Sequence, residues 1–125
     1  MRPLLDTHVA LWLVGDASGR RERAQRAVHA VGGRPLLSTA SVWEMAIKAA
    51  LGRLQVPEDL LELAAVLDAD DLPVLPRHAA AVRDLPPLHA DPFDRLLVVQ
   101  ADLEGAVLVS ADPQVLAYDV RTSEA

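Results

Sequence analysis

The sequence predicts one α/β domain, built on a central parallel β-sheet of four to five short strands with helices on both faces. Short apolar segments of strand character alternate along the chain with longer helical stretches, which is typical of a parallel sheet covered on both sides. The chain has 125 residues, 51% of them hydrophobic, enough for a single core. No internal repeat or linker divides it, so residues 1–125 are predicted to form a single domain.

Each predicted element is bounded by residues that start or stop regular structure. The strands are short runs rich in leucine and valine, predicted at residues 3–6, 35–38, 72–75 and 107–110. The helices are predicted at residues 9–14, 20–31, 41–51, 58–69, 77–85 and 94–104. Gly52 and Gly105 follow two of these helices, and prolines stand at the ends of most elements. The polar tail is expected to form a shortened edge strand or to be disordered from about Thr122.

Composition limits the classes of protein that this chain can represent. It contains no cysteine, which excludes disulfides and thiolate metal sites. The net charge of −6 argues against a broad basic surface for nucleic acids, unless the acids are concentrated where cations bind. The longest apolar runs are too short to span a bilayer and no signal peptide precedes the first strand, so a cytoplasmic protein with no membrane segment is expected.

Four acidic residues fall at related places on this frame. Asp6 ends the first strand, Asp112 follows the fourth, and Glu44 lies in the first turn of the helix after the second. Asp94 opens the last predicted helix and joins them if the preceding loop brings that helix start to the same edge. Ligands of parallel sheets sit outside the carboxyl ends of the strands. Because four carboxylates there repel one another, the joint pattern favours a bound hard cation.

Helix capping is the alternative for each acid taken alone. In HADPFDRLLVVQA, residues 89–101, Asp91 can act as N-cap with Pro92 as the first helical residue. Asp94 can then be the N3 carboxylate that bonds back to the cap. Comparable cap assignments exist for Asp6, for Ser41 with Glu44 as a capping box beside Lys48, and for Asp112 before Pro113. Only the joint pattern separates a metal site from four local caps.

Four separated motifs carry a family resemblance: LLDTHVALWL, STASVWEMAIKAALGRL, LPPLHADPFDRLLVVQA and LVSADP. In this order they resemble the successive motifs of the PIN-domain family, and closely those of VapC-type toxin ribonucleases of toxin–antitoxin modules. The resemblance runs from about Leu4 to Asp112. The acidic positions of the family correspond to Asp6, Glu44, Asp94 and Asp112, with Thr7 and Ser110 as supporting hydroxyl residues. Asp91 lies outside the general acidic set of the family and is assigned to capping.

The resemblance implies a metal-dependent endoribonuclease that hydrolyses RNA phosphodiester bonds at a four-carboxylate site holding Mg²⁺ or Mn²⁺. Asp6 and Asp94 are expected to be the main metal ligands, Asp112 a ligand directly or through water, and Glu44 a ligand or the base toward the attacking water. The implied partners are RNA and a cognate VapB-type antitoxin whose tail occupies the acidic groove. A homodimer, or a hetero-oligomer with the antitoxin, is implied as well.

Two other classes share some of these features. A receiver-type phosphoacceptor domain is also a small parallel α/β protein with acids and magnesium at its strand ends. It needs an acidic pair after the first strand and a lysine after a late strand, whereas Asp6 stands alone and the single lysine, Lys48, lies in a predicted helix. A non-catalytic RNA- or protein-binding PIN-like module with a degenerate pocket is the other, but all four acids are present here.

Several other residues are assigned to structural or surface roles, or left open. Because the histidines lack a metal-ligand spacing, surface or structural roles are expected for His8, His29, His78 and His89. A solvated helix face is favoured over a phosphate-binding patch for Arg20, Arg21, Arg23 and Arg26. Trp12 and Trp43 are expected to be core or interface anchors. Arg95 can either pair with a carboxylate or reach a substrate.

Overall fold

A computed structural model describes residues 1–15 and 19–125 of the chain. Within them, five parallel strands form one sheet: β1 (Pro3–Leu5), β2 (Leu36–Ser38), β3 (Asp70–Leu72), β4 (Val107–Ser110) and β5 (Thr122–Glu124). The α-helices of the described residues are α1 (Thr7–Gly15), α2 (Arg20–Val31), α3 (Thr39–Ala50), α4 (Leu63–Val66), α5 (Pro76–Ala81), α6 (Pro92–Glu104) and α7 (Pro113–Leu116). The predicted α/β class with a parallel sheet is confirmed. No helix in the described part of the chain is long and apolar enough to cross a membrane.

The sheet separates two hydrophobic layers, because successive residues of a strand point to opposite faces. Leu4 and Leu108 pack into the layer that also holds Leu97 of α6. Leu5 and Val109, their neighbours in sequence, pack into the layer beneath α1, α2 and α3. Burial on both faces explains why these strands read as continuous apolar runs and do not alternate with polar residues.

The strand order, β3-β2-β1-β4-β5, places β1 at the centre of the sheet. The chain adds β2 and β3 on one side of β1, and β4 and β5 on the other. In open α/β sheets such a reversal leaves a crevice outside the carboxyl ends of the two central strands, where ligands bind. Asp6 and Asp112 follow β1 and β4 within two residues, so both lie at this crevice. The order also differs from the 2-1-3-4-5 arrangement of flavodoxin-like receiver domains, which removes that alternative.

Two predicted elements between β2 and α5 have different bounds in the structure. The helix predicted at residues 58–69 is only a 3₁₀ turn followed by the single turn of α4, and Asp68, with a φ of 53°, lies beyond its end. The third strand is β3, which starts two residues before the predicted one. Its first two residues are aspartates, so a pattern based on apolar residues does not include them in the strand. Asp70 is tolerated at this sheet edge because Arg2 and Arg34 both pair with it.

Helix α3 begins at Thr39, two residues earlier than predicted. Its N-cap is Ser38, whose Oγ accepts a hydrogen bond from the amide of Ala40 at 3.1 Å. The predicted capping box of Ser41 and Glu44 is therefore wrong, since both residues lie inside the helix and are buried. The Glu44 carboxylate therefore does not cap α3. It is buried in contact with the side chains of Thr7 and Lys48.

The tail forms an edge strand. Of the two expected outcomes, the structure has the short strand and not disorder, because β5 pairs in parallel with β4 in the register Leu108 to Thr122. The amide of Ala125 donates to the Ser110 carbonyl at 2.9 Å. Arg23 of α2 donates to the Ala125 carbonyl at 3.4 Å. Because β5 runs parallel to β4, the end of the tail reaches the carboxyl end of the sheet, where the crevice lies.

Candidate active site

A cleft of about 490 Å³ lies at the carboxyl edge of the sheet. Its lining includes the four acids that the sequence analysis singled out, Asp6, Glu44, Asp94 and Asp112. They are contributed by the end of β1, by α3, by the first turn of α6 and by the residue before α7. The loop before α6 therefore does bring that helix start to the common edge, as a shared site requires.

Asp6 is the most centrally placed of the four acids and is only 4% exposed. Its Oδ1 accepts a hydrogen bond from the amide of Thr7 at 2.7 Å, and its Oδ2 accepts one from the Ser110 hydroxyl at 2.6 Å. The Ser110 oxygen in turn accepts from the amide of Asp112 at 3.1 Å. Burial raises the pKa of Asp6, although the hydrogen bond from Ser110 opposes this effect.

Glu44 is buried beside Asp6, on the first turns of α3. Thr7 Oγ1 donates to its Oε1 at 2.7 Å, and Lys48 donates to its Oε2 at 2.5 Å. The predicted pairing of Glu44 with Lys48, one turn further along the helix, is therefore present. The hydrogen bond to Glu44 raises the pKa of Lys48, so this lysine is positively charged at neutral pH.

Asp91 and Asp94, three residues apart, differ in their contacts. Asp91 is the N-cap of α6, because its Oδ1 accepts from the amides of Phe93 at 2.8 Å and Asp94 at 3.3 Å. The Asp94 side chain instead turns toward the cleft, where its Oδ2 lies 2.9 Å from His89 Nε2. The predicted bond from Asp94 back to the cap is replaced by His89 Nδ1, which accepts from the Asp91 amide at 3.3 Å.

Asp94 has the most strongly perturbed acidity in the cleft. Burial, followed by the negative charges of Asp6, Asp91 and Glu44, raises the pKa of Asp94 to about 7. The nearby His89 opposes this rise only in part. A carboxylate in this setting is unfavourable without a compensating cation, which is the behaviour that a metal-binding carboxylate shows in the absence of metal.

Asp112 is a cap and a cleft residue at once. Its Oδ1 accepts from the amide of Gln114 at 2.9 Å, so it is the N-cap of α7, with Pro113 as the first helical residue. Its Oδ2 lies 3.1 Å from His89 Nε2. Capping and participation in the acidic cluster are therefore not alternatives at this position, because the two carboxylate oxygens serve different partners.

His89 is the cleft residue that sequence reasoning missed. The expectation of a surface or structural role did not place its side chain among the acids, whereas Nε2 lies between the carboxylates of Asp94 and Asp112. The three ligand atoms lie within 4.8 Å of one another. The sequence did contain a signal, because His89 and Asp91 lie on the loop just before Asp94. The spacing rule used for metal ligands applies to helices and does not cover residues on such a loop. By contrast, His78 is fully buried and has the expected structural role, bonding the Leu75 amide at 2.9 Å through Nδ1.

Arg95 pairs with no carboxylate among the residues that the structure describes, so the first of its two predicted roles is not found. Its guanidinium donates to the Tyr118 hydroxyl and to four carbonyls in the segment before α6, which belong to Val82, Leu85, Pro86 and His89. Arg95 therefore fixes the loop that carries His89 and Asp91.

Positively charged side chains of α2 and α3 line the cleft beside the acids. Arg20 and Arg23 of α2 line it together with Trp12 and Lys48. The Arg20 guanidinium stacks on the Trp12 ring, 5.1 Å from its centroid. Arg26 pairs with Glu22 along the helix and is not among the residues that line the cleft. All four arginines are exposed, as predicted for a solvated helix face, and two of them also line the cleft. We call Arg20 and Arg23 the arginine rim.

Trp43 is 60% exposed, so it is not a core anchor. Its ring meets the Phe93 ring edge-on, with the centroids 5.2 Å apart. The two residues directly precede Glu44 and Asp94, so this aromatic pair lies on the outer side of the helices that supply two of the acids. An exposed tryptophan is suited to a contact with another molecule.

The residues of the cleft fit a hard divalent cation. Four carboxylates supply oxygen ligands, which Mg²⁺ and Mn²⁺ prefer. The raised pKa values of Asp6 and Asp94 indicate that the buried negative charge is incompletely compensated by the protein itself. A divalent ion bound between these carboxylates offsets their repulsion, so its binding stabilises the charged forms.

Comparisons with known proteins agree with this architecture. A family model described as the PIN domain matches residues 4–120. The fold is similar to a chain in the crystal structure of VapBC2 from Rickettsia felis bound to a DNA fragment from their promoter, with a TM-score of 0.73 and 11% identity over 99% of this chain and 98% of that one. It is also similar to a chain of DNA-bound VapBC from Salmonella typhimurium, with a TM-score of 0.67 and 18% identity over the same shares. A comparison with curated proteins gives no match.

The raised pKa of Asp94 makes a prediction for stability in chelator. Its pKa in the folded protein, about 7, exceeds the value of about 4 expected in the unfolded chain. In the metal-free protein, the stability associated with protonated Asp94 is therefore fully present below about pH 4. The free energy of unfolding falls as the pH rises above about 4, and the loss is complete once the pH has passed about 7. Asp94→Asn removes the charge, so the variant should melt above the parent at pH 8 in chelator and gain less from added Mg²⁺ or Mn²⁺. The measurement is thermal melting at several pH values.

Asp102→Asn is the matched control, because it removes the same charge from an exposed position on α6 outside the cleft. This variant should keep the full metal response of the parent. If Asp94→Asn melts below the parent in chelator and still responds fully to metal, Asp94 has only a structural role at the helix start.

Proposed function

The chain belongs to the PIN-domain family, and on that premise we propose that it is a metal-dependent endoribonuclease, the toxin of a VapC-type toxin–antitoxin pair. One observation carries the proposal: four carboxylates from distant parts of the sequence line one cleft at the strand-order reversal of the sheet. Helix capping accounts for Asp112 in part, but not for the buried Glu44 or the raised pKa of Asp94.

We assign Asp6 and Asp94 as the main ligands of Mg²⁺ or Mn²⁺, with Asp112 binding directly or through water. When bound, the ion supplies Lewis acidity toward the phosphodiester and activation of the attacking water. Thr7 and Ser110 are supporting residues, because their hydrogen bonds orient Asp6 toward the cleft. We place the protein in the cytoplasm, where an RNA-cleaving enzyme meets its substrate.

Glu44 is the carboxylate that we assign to binding the ion or to taking the proton of the attacking water. Thr7 and Lys48 each hold one of its oxygens, so its orientation is fixed before substrate arrives. In the hydrolysis, the water oxygen bonds to phosphorus, the bond from phosphorus to one ribose oxygen breaks, and that oxygen takes up a proton. Lys48 is positively charged beside the acids and is placed to offset negative charge at the phosphate.

The arginine rim supports RNA as the substrate. A protein of net charge −6 needs local positive charge to hold a polyanion, and Arg20 and Arg23 provide it on the wall of the cleft that holds the acids. Trp12, stacked under Arg20, adds an aromatic face beside it. We infer that phosphates flanking the cleaved bond lie along this wall.

Cleavage of total cellular RNA tests the chemistry. The parent should cleave with Mg²⁺ or Mn²⁺ and be inactive in chelator, and Asp6→Asn and Asp94→Asn should lose at least 100-fold in rate, since an amide is a poorer ligand for a hard cation. Asp102→Asn should cleave like the parent. Cleavage that persists in chelator or in both cleft variants contradicts the metal-nuclease proposal, and RNA binding without cleavage under any condition favours the non-catalytic alternative.

Binding of a single-stranded RNA oligonucleotide in chelator tests the arginine rim. Arg20→Gln and Arg23→Gln should each weaken binding several-fold and lower the slope of log affinity against log salt by about 0.7. Arg21→Gln and Arg26→Gln are matched controls on the same helix, at positions that do not line the cleft, and should change little. Fluorescence anisotropy at several salt concentrations measures both quantities. Equal losses of RNA affinity in all four variants would mean that binding depends on the net charge of the protein and not on the arginine rim.

A VapB-type antitoxin is the proposed protein partner, with its tail in the acidic cleft. The support is the PIN-domain membership together with the fold similarity to chains from VapBC complexes. We also propose a homodimer, alone or within a hetero-oligomer with the antitoxin. The exposed Trp43 ring and its contact with Phe93 provide an apolar surface suited to it.

Expression in cells tests the partner. The chain expressed alone should arrest growth, and co-expression of the small protein encoded beside it should restore growth and yield a stable complex, whose mass reports the oligomeric state. Asp6→Asn should be harmless alone and still form the complex, which separates loss of activity from loss of binding. Harmless expression of the folded parent without complex formation would count against the toxin–antitoxin assignment.

A further inference from the structure

The backbone of His89 is held on both sides. Its amide donates to the Tyr118 hydroxyl at 2.9 Å, and its carbonyl accepts from the Arg95 guanidinium at 3.3 Å. Arg95 also donates to the Tyr118 hydroxyl at 3.2 Å, so the two holding groups support each other. A loop residue secured in this way presents its side chain in one place, and the His89 side chain is 12% exposed in the cleft.

The hydrogen bonds of the His89 ring assign its proton. Nδ1 accepts from the amide of Asp91 at 3.3 Å, so Nδ1 carries a lone pair and no proton. The neutral ring then carries its proton on Nε2, which lies 2.9 Å from Asp94 Oδ2 and 3.1 Å from Asp112 Oδ2. Nε2 therefore donates toward two carboxylates that belong to different elements.

We propose that His89 is a positioning residue whose Nε2–H spans Asp94 and Asp112 and sets their separation for the divalent ion, without binding the ion itself. This inference rests on the proposed function for the identity of the ion. The hydrogen bond reduces the repulsion between the two carboxylates and fixes one oxygen of each. Each carboxylate oxygen keeps a further lone pair for the ion, although Oδ1 of Asp112 also caps α7.

Direct binding of the ion by His89 is the competing role, and the geometry opposes it. Nε2 can bind a cation only after its proton is lost or moved to Nδ1. A proton on Nδ1 would face the Asp91 amide N–H, so two donors would meet and the bond at the start of α6 would be lost. Oxygen ligands are already supplied by the neighbouring acids, and Mg²⁺ prefers them to imidazole.

The tautomer of His89 can be measured on the unaltered protein. Histidine ¹⁵N spectra of the parent, recorded in chelator and with excess Mg²⁺, should show a protonated Nε2 and an unprotonated Nδ1 in both conditions. His8, His29 and His78 are assigned through histidine variants in the same spectra. A proton that leaves Nε2 when Mg²⁺ is added would overturn the proposal and make His89 a ligand.

Ion affinity measures the positioning effect. His89→Leu should weaken Mn²⁺ binding about 10–100-fold, and His89→Gln, which keeps a donor of similar reach, should recover part of that loss. Tyr118→Phe removes the hydroxyl that holds the His89 backbone but leaves the His89 ring unchanged. It should weaken Mn²⁺ binding less than His89→Leu does. Mn²⁺ affinity that is unchanged in His89→Leu, or lowered equally in all three variants, would overturn the proposal. Neither readout uses RNA, so a parent that binds Mn²⁺ as expected but cleaves no RNA would refute the proposed function alone.

Discussion

Mutual repulsion among buried carboxylates is the constraint on which the cleft depends. Asp6 and Glu44 are almost completely buried and Asp94 nearly so, which costs free energy for every charge that remains there. A fold could avoid this cost by replacing one acid. This chain instead places all four at the strand-order reversal and surrounds them with donors, an arrangement that keeps a region of concentrated negative charge ready for a cation.

The donors form one continuous chain of contacts through the four acids. Thr7 contacts both Glu44 and Asp6, Ser110 contacts both Asp6 and Asp112, and His89 contacts both Asp112 and Asp94. Each linking group therefore fixes two acidic residues relative to each other: Thr7 and His89 contact two carboxylates each, whereas Ser110 contacts the Asp6 carboxylate and the backbone amide of Asp112. Networks of this kind in a site of low dielectric rigidify their members, and loss of one link is felt by both neighbours.

The sequence predicted the parts that depend on local pattern. Continuous apolar strands, Asp-Pro helix starts and acids at strand ends all have a short-range signature, so the sheet and the positions of Asp6 and Asp112 followed from it. The start of α3 did not, because Ser38 and Ser41 both satisfy the cap preference and only packing decides between them. The contacts of His89 and Arg95 were not predicted for a related reason: His89 lies on a loop whose path is set by tertiary contacts, and Arg95 donates to carbonyls of that loop.

The placement of the arginine rim on an otherwise acidic protein governs how a polyanion approaches. At about 0.01 M salt, where the screening length is about 30 Å, a distant polyanion meets mainly the net charge of −6 and is repelled. Close to α2 it meets Arg20 and Arg23 and is attracted. Encounter is therefore orientation-selective: added salt weakens the long-range barrier and speeds collision, while it shortens the lifetime of the complex once formed. Such a surface favours a few well-aligned collisions with a polyanion over indiscriminate adhesion.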